Sequence, residues 1–136
     1  MKNEFVPYEV AVKLKEFRIS SEYLAYYYTL DGKVWKFALA EMYDKIDYEL
    51  NIGSNFTVAA PLWQQVIDWL REIRHLHINF MIEDSYDVND KTWKFEILDT
   101  DWGGDRVVYT LYRGKGFKTF NEMRESAICK SVELIK

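Results

Sequence analysis

Two histidines that stand one residue apart are the first candidates for chemistry in this sequence. His75 and His77 lie where a helical pattern gives way to an alternating one. Two imidazoles can ligate zinc, but a zinc site takes three or four ligands and the chain holds no third histidine. Acidic side chains would have to complete the site, which would then serve a small metal-dependent hydrolase. The ligand requirement favours the plainer interpretation that the pair serves packing at the junction.

Two acidic segments are candidates for a loop that binds a metal ion. The segment DTDWGGD begins like a calcium loop at Asp99, but Gly103 and Thr110 occupy its fifth and twelfth positions, where the pattern needs Asp or Asn and then Glu. Turn chemistry alone explains its Asp and Gly residues. The second segment, with Glu83, Asp84, Asp87 and Asp90, is typical of a solvated loop.

Other catalytic motifs are missing from the sequence. It has no Ser-His-Asp order and no Walker loop, and RGKGF lacks the third glycine of a dinucleotide fingerprint. Cys129 lies among apolar neighbours, which favours a buried structural thiol. We therefore assign no catalytic, cofactor-binding or metal-ligating residue, and we expect no cofactor.

Aromatic side chains are the other unusual feature. They make up 17% of the chain, as five Trp, ten Tyr and eight Phe. Tyr and Trp at a surface often mark a binding face, although Tyr also sits at the boundary of a core with its hydroxyl in water. The candidates for contact with a partner are Tyr26, Tyr28, Trp35, Tyr43, Tyr48 and Trp102.

Length and charge bound the class of protein. A chain of 136 residues is expected to form a single domain, residues 1–136. A net charge of -4 argues against non-specific binding to nucleic acid or to an anionic membrane. The single cysteine fits a reducing compartment, and the sequence shows neither a membrane span nor a signal peptide. We expect a cytoplasmic protein.

The hydrophobic patterns predict an α+β fold, an antiparallel sheet with helices packed on one face, in the order α-β-β-α-β-β-β-α. Helices are predicted at 6–17, 59–74 and 120–135. Strands are predicted at 23–30, 34–39, 77–82, 92–98 and 106–112. Asp31-Gly32 suits a hairpin turn between the first two strands. Residues 41–55 are predicted to be a long loop or to hide a short strand, and residues 113–118 a basic turn.

The central helix, AAPLWQQVIDWLRE, has the strongest pattern. Pro61 is placed in its first turn, where a missing N–H costs nothing. Its apolar stripe is formed by Leu62, Val66, Trp69, Leu70 and Ile73. Its predicted solvent-facing side is formed by Gln64, Gln65, Asp68, Arg71 and Glu72.

The last helix is predicted to begin after Thr119. This residue is a plausible N-cap, and Glu122 three residues later completes a capping-box pattern. The side chains expected to point inward are Phe120, Met123, Ala127, Ile128, Leu134 and Ile135.

Taken together, VPYEVAVKLKEF, EYLAYYY, AAPLWQQVIDWLRE and HLHINF resemble a family of small proteins found in the genomes of gut anaerobic bacteria and their phages. The resemblance covers most of the chain and is weaker across residues 41–55 and 83–90. It implies a compact α+β domain from a phage or mobile element, without an assigned activity and without catalytic residues to carry over.

A second resemblance concerns residues 61–136, which are predicted to run α-β-β-β-α. The end, RGKGFKTFNEMRESAICKSVELIK, looks like the last strand and helix of a double-stranded-RNA-binding domain, whose final helix begins with lysines that meet phosphate. Here Phe120 and Asn121 take those positions, with Lys118 and Arg124 near by. This half of the chain holds 11 basic and 13 acidic residues, which suits phosphate poorly.

We therefore predict a non-enzymatic interaction module that binds a protein partner or a second copy of itself through exposed Tyr and Trp. The first alternative is the metal-dependent hydrolase that uses His75 and His77. A nucleic-acid-binding module is the second alternative.

Overall fold

The computed structural model describes residues 2–19, 23–30, 33–39, 57–83, 91–100 and 109–135. After a short 3-10 turn at Lys2–Glu4, their elements are α1 (Tyr8–Leu14), β1 (Ala25–Leu30), β2 (Lys33–Leu39), β3 (Thr57–Ala59), α2 (Trp63–Ile73), β4 (Leu76–Glu83), β5 (Thr92–Asp99), β6 (Tyr109–Phe117) and α3 (Phe120–Ile135). The α+β class is confirmed. The described strands are divided between two antiparallel sheets.

The chain forms two compact units, Met1–Val66 and Ile67–Lys136, which we call the N-terminal and C-terminal units. The described strands of each unit form one three-stranded sheet. The expectation that residues 1–136 behave as one domain stays a prediction.

In the N-terminal unit, β1 is the central strand of a sheet with the order β2-β1-β3. The predicted hairpin of β1 and β2 is confirmed, and Leu30 pairs with Lys33 across its end. The predicted turn residues Asp31 and Gly32 lie outside the described part. Tyr27 is buried in the middle of β1, and its hydroxyl donates to the carbonyl of Val6 at 2.6 Å.

Helix α1 covers the centre of the predicted first helix and ends earlier. Pro7 precedes it, and the carbonyl of Pro7 accepts from the backbone N–H groups of Val10 and Ala11. Val10 and Leu14 are buried as predicted, which fixes the helix through one apolar stripe.

Helix α2 begins four residues later than the pattern predicted. Of these four residues, Ala59 is the last residue of β3 and pairs with Tyr26, and the N–H of Ala60 donates to the carbonyl of Ala25 at 2.9 Å. At the start of the helix, the side chain of Gln65 accepts from the N–H of Leu62, which is half of a capping box.

The predicted stripe of α2 is confirmed in its centre. Val66, Trp69 and Leu70 are buried, and Trp63 joins them. Ile73 is 62% exposed, so its predicted burial is wrong. It is the last residue of the helix, where the stripe ends.

In the C-terminal unit, the order β4-β5-β6 and the packing of α3 confirm the predicted run α-β-β-β-α. Phe80 pairs with Phe95 in the first ladder. The ring of Phe120 in α3 lies edge-on to Phe80 at 5.5 Å and to Trp93 at 5.3 Å between ring centroids. One face of this sheet is therefore covered by α3.

Helix α3 has the predicted bounds. Thr119 Oγ1 accepts from the backbone N–H of Glu122 at 3.1 Å, which confirms the N-cap. Met123, Ala127 and Ile128 are buried as predicted. The predicted burial of Leu134 is wrong, because it is exposed in the last turn of the helix.

Several predicted segments lie outside the described residues: the whole loop 41–55, the acidic residues Asp84, Asp87 and Asp90, and the hairpin residues 101–105. None of the described helices combines the length and the hydropathy needed to cross a bilayer.

Candidate protein-binding edge

The aromatic residues chosen from the sequence lie in different environments. Tyr26 is half-buried in β1, with its ring edge-on to Tyr23 at 6.3 Å. Tyr28 is fully buried, so the prediction that it contributes to an exposed surface is wrong. It lies on the central strand of its sheet, between β2 and β3. The side chain of Trp35, in β2, and the residues Tyr43, Tyr48 and Trp102 lie outside what the structure describes.

His75 has a structural position at the end of α2. Its backbone is left-handed, with φ 58°, a conformation in which His is enriched among non-glycine residues. Its carbonyl accepts two bonds of 2.9 Å, from the N–H and the hydroxyl of Thr100. This links the end of the helix to the end of β5.

The described residues do not assemble a metal site around the histidine pair. His77 lies in β4 opposite Leu98. No three His, Cys, Asp or Glu residues come together as metal ligands within the described ranges. Glu83, the first member of the acidic segment, accepts a hydrogen bond from the hydroxyl of Thr92 on the neighbouring strand. Cys129 is half-buried rather than buried.

The surface that the sequence did not reveal is the outer strand of the C-terminal sheet. We call Tyr109–Phe117 the β6 edge. In the described sheet, β6 is hydrogen-bonded to β5 alone. Three large side chains on it are exposed: Tyr109 at 43%, Leu111 at 44% and Tyr112 at 38%.

A break in the register changes the faces on which Leu111 and Tyr112 lie. Simple alternation places Leu111 on the same face as Tyr109 and places Tyr112 on the opposite face. The ladder shifts opposite Ile97 and Leu98, and Leu111 is the additional residue. Tyr112 then takes the face of Phe95, with 5.8 Å between their ring centroids.

Two glycines explain why residues 113–118 were predicted to be a turn. The strand instead continues to Phe117, through a second shift of register opposite Trp93 and Phe95. Gly116 has a φ of 81°, and a Cβ on Gly114 would lie 2.6 Å from Cζ of Phe95. Glycines two residues apart inside a strand are a signal of a bulge, and this signal could have identified the edge.

The β6 edge is locally basic although the chain is acidic. Arg113 Nε donates to Glu96 Oε1 at 3.2 Å and remains largely exposed. Lys115 and Lys118 are exposed. Lys130 of α3 places its ammonium 4.7 Å from the ring centroid of Tyr112. Residues 109–121 contain no acidic residue.

The basic residues considered for RNA binding do not form a phosphate cluster. The guanidinium of Arg124 lies 5.2 Å from the ring of Phe120 and donates to Asn121 Oδ1 at 3.0 Å. Burial lowers the pKa of this guanidinium. Arg124 is therefore held against its own helix, whereas Lys118 is exposed.

The N-terminal unit contains a small apolar pocket of about 130 Å³. Its walls include Leu14, Phe17, Ile19 and Val58, with Lys15 among the lining residues. Sites for drug-sized ligands are usually about 300 Å³ or larger, so this volume suits a single side chain.

Comparison with known proteins finds no matching family model, no matching curated protein and no matching solved structure. Membership of the family that the sequence resembles stays a prediction.

Proposed function

We propose that this protein is a non-enzymatic interaction module that binds another protein chain through the β6 edge. The observation that supports it is the nine-residue strand at the end of its sheet that exposes Tyr109, Leu111 and Tyr112. The binding residues proposed here differ from those that the sequence suggested, which were Tyr26, Tyr28, Trp35, Tyr43, Tyr48 and Trp102.

Edge strands bind protein chains for a simple physical reason. The outer side of such a strand offers backbone N–H and C=O groups in a regular row, and an extended segment can pair with them. Exposed aromatic and aliphatic side chains beside that row add apolar contact area. The β6 edge offers such a row over residues 112–114, between its two shifts of register, and exposes Tyr109, Leu111 and Tyr112 beside it.

The proposal includes two points that rest on the sequence. The single cysteine supports a cytoplasmic location. The resemblance to proteins of gut anaerobic bacteria and their phages supports an origin in a phage or mobile element.

A displayed library of random peptides, selected on the immobilised full-length protein, tests the proposal. Selected peptides are then measured by fluorescence polarisation against the wild type and against a double variant, Tyr109→Ser with Leu111→Ser. The matched control, Val12→Ser with Leu24→Ser, removes exposed apolar surface from the N-terminal unit.

We expect peptides that lose at least roughly tenfold in affinity for the edge variant and keep their affinity for the control. Thermal unfolding verifies that the edge variant is folded, and Tyr109→Ser alone replaces it otherwise. Selected peptides that bind both variants equally, or a selection that yields no binder, would refute the proposal.

A further inference from the structure

We infer that the segment bound at the β6 edge is an acidic extended peptide of a different protein, with acidic and apolar residues in alternation. This inference rests on the proposed function and specifies its partner. It follows from the charges, the register and the two faces of β6.

The charges of the strand disfavour a second copy of the chain. The edge carries Arg113 and Lys115 and no acidic residue. In an antiparallel pair of two β6 strands, a two-fold axis at Arg113 places this residue opposite itself. An axis at Gly114 places Arg113 opposite Lys115. Like charges directly opposite each other destabilise a strand pair, and no register of β6 against itself supplies an opposite charge.

The register defines where a partner strand can align. Between the two shifts, Tyr112, Arg113 and Gly114 stand opposite Ile97, Glu96 and Phe95 without interruption. Bulges and basic side chains are common protections of edge strands against indiscriminate pairing. The uninterrupted segment between them therefore accepts a short strand, and the basic side chains select its charge.

The two faces of this segment define the alternation. Tyr112 lies on the face of Phe95 and α3, under the ammonium of Lys130. Arg113 lies on the opposite face, where it meets Glu96 across the ladder. Successive residues of an added strand also alternate between these faces. Apolar residues of the partner would contact Tyr112, and its carboxylates would lie near the guanidinium of Arg113.

Charge sets the choice of partner more than the affinity. Exposed ion pairs are worth at most about 1 kcal/mol each, whereas backbone pairing and apolar contact provide most of the binding free energy. Complementary charge accelerates encounter and rejects basic segments. Because the net charge of the chain is -4, the attraction of an acidic peptide depends on local basic side chains such as those of the β6 edge.

Three labelled peptides of equal length test the inference by fluorescence polarisation. In the first, Glu alternates with Val. The second has Lys in place of Glu, and the third repeats the first with one central Pro, which removes a backbone donor. They are measured on the wild type, on Lys115→Glu, and on Lys33→Glu, a matched charge reversal at an exposed lysine of β2.

We expect the Glu-Val peptide to bind the wild type at least roughly tenfold more tightly than the Lys-Val peptide. Lys115→Glu should reduce that affinity by roughly tenfold, Lys33→Glu should leave it nearly unchanged, and the central Pro should weaken it. Equal binding of both charged peptides, no effect of Lys115→Glu, or no effect of Pro would overturn the inference.

Two further outcomes separate this inference from the proposed function. If library peptides bind the β6 edge but are not acidic, the choice of partner is wrong and the interaction module stands. If sedimentation shows a dimer that Leu111→Ser dissociates, the occupant is a second copy and the inference fails. If no peptide depends on the β6 edge, both proposals fail.

Discussion

Gly114 and Gly116 stand two residues apart in β6, yet they are required for different physical reasons. Gly114 lies directly against the ring of the buried Phe95, so the backbone needs the space that a side chain would occupy. Gly116 has open space around it and needs the positive φ of 81°. The first is a packing requirement and the second is a conformational one.

We predict that Gly114→Ala destabilises the protein more than Gly116→Ala. The first should lower the free energy of unfolding by about 3 kcal/mol, because the methyl group displaces a core ring. The second should cost about 1 kcal/mol, because only backbone strain is added. Chemical denaturation of both variants measures the difference, and equal losses would contradict the assignment.

For the histidine pair, too, the structural role depends on the backbone and not on the type of side chain. The types and spacing of His75 and His77 suggested possible metal ligands, because a sequence does not show backbone conformation. In the structure the backbone of His75 is the informative part, since its left-handed φ and its carbonyl end α2 against Thr100. No periodicity in the sequence could have shown that bond between residues 25 apart.

At the scale of elements, the sequence correctly predicted the features that depend on contacts between residues close together in the chain. The bounds of α3 followed from Thr119 and Glu122, whose hydrogen bond is formed within one turn. Strand β3 could not be found in this way, because Thr57–Ala59 becomes a strand through pairing with β1, some 30 residues earlier. The predicted strand at 106–112 stops short of the end of β6, because the shifts of register in β6 interrupt the alternation on which strand prediction depends.

The contribution of the N-cap Thr119 to the stability of α3 can be tested by substitution. Thr119→Ala should lower the free energy of unfolding by about 1 kcal/mol, because the N–H of Glu122 loses its acceptor at the helix start. Thr119→Ser keeps an acceptor oxygen in that place and should restore most of the loss. Urea denaturation compares the three proteins. If the serine variant is as unstable as the alanine variant, the hydroxyl is not the cause.

At the scale of the whole molecule, the sequence predicted the α+β class but not the division into two sheets. Hydrophobic alternation identifies strands, whereas the choice of strand partners depends on contacts that alternation does not encode. Packing between aromatic rings inside each unit explains part of the high aromatic content. In the N-terminal unit Tyr27 packs against Tyr8 and Phe37, and in the C-terminal unit Phe95 packs against Tyr112 and Phe117.

The alkaline stability of the whole molecule should depend on Tyr27. Its hydroxyl is buried and donates to the carbonyl of Val6, and burial, followed by the nearby charge of Glu9, raises the pKa of this phenol above its ordinary value of 10.0. The unfolded chain therefore ionises first as the pH rises. The contribution of Tyr27 to stability is fully present below the ordinary pKa and is lost as the pH rises above it.

The direction of this pKa shift can be tested by comparing the stabilities of the wild type and of Tyr27→Phe at different pH values. At neutral pH, Tyr27→Phe should cost about 1 kcal/mol, because the variant loses the hydrogen bond to Val6. Between neutral pH and about pH 11 the gap between wild type and variant should narrow, because the wild type alone must keep this buried phenol protonated. The two proteins are identical at every other position, so the difference between them isolates the contribution of Tyr27. Denaturant unfolding at a series of pH values measures the gap, and a gap that stays constant above pH 10 would show that Tyr27 ionises equally easily in both states.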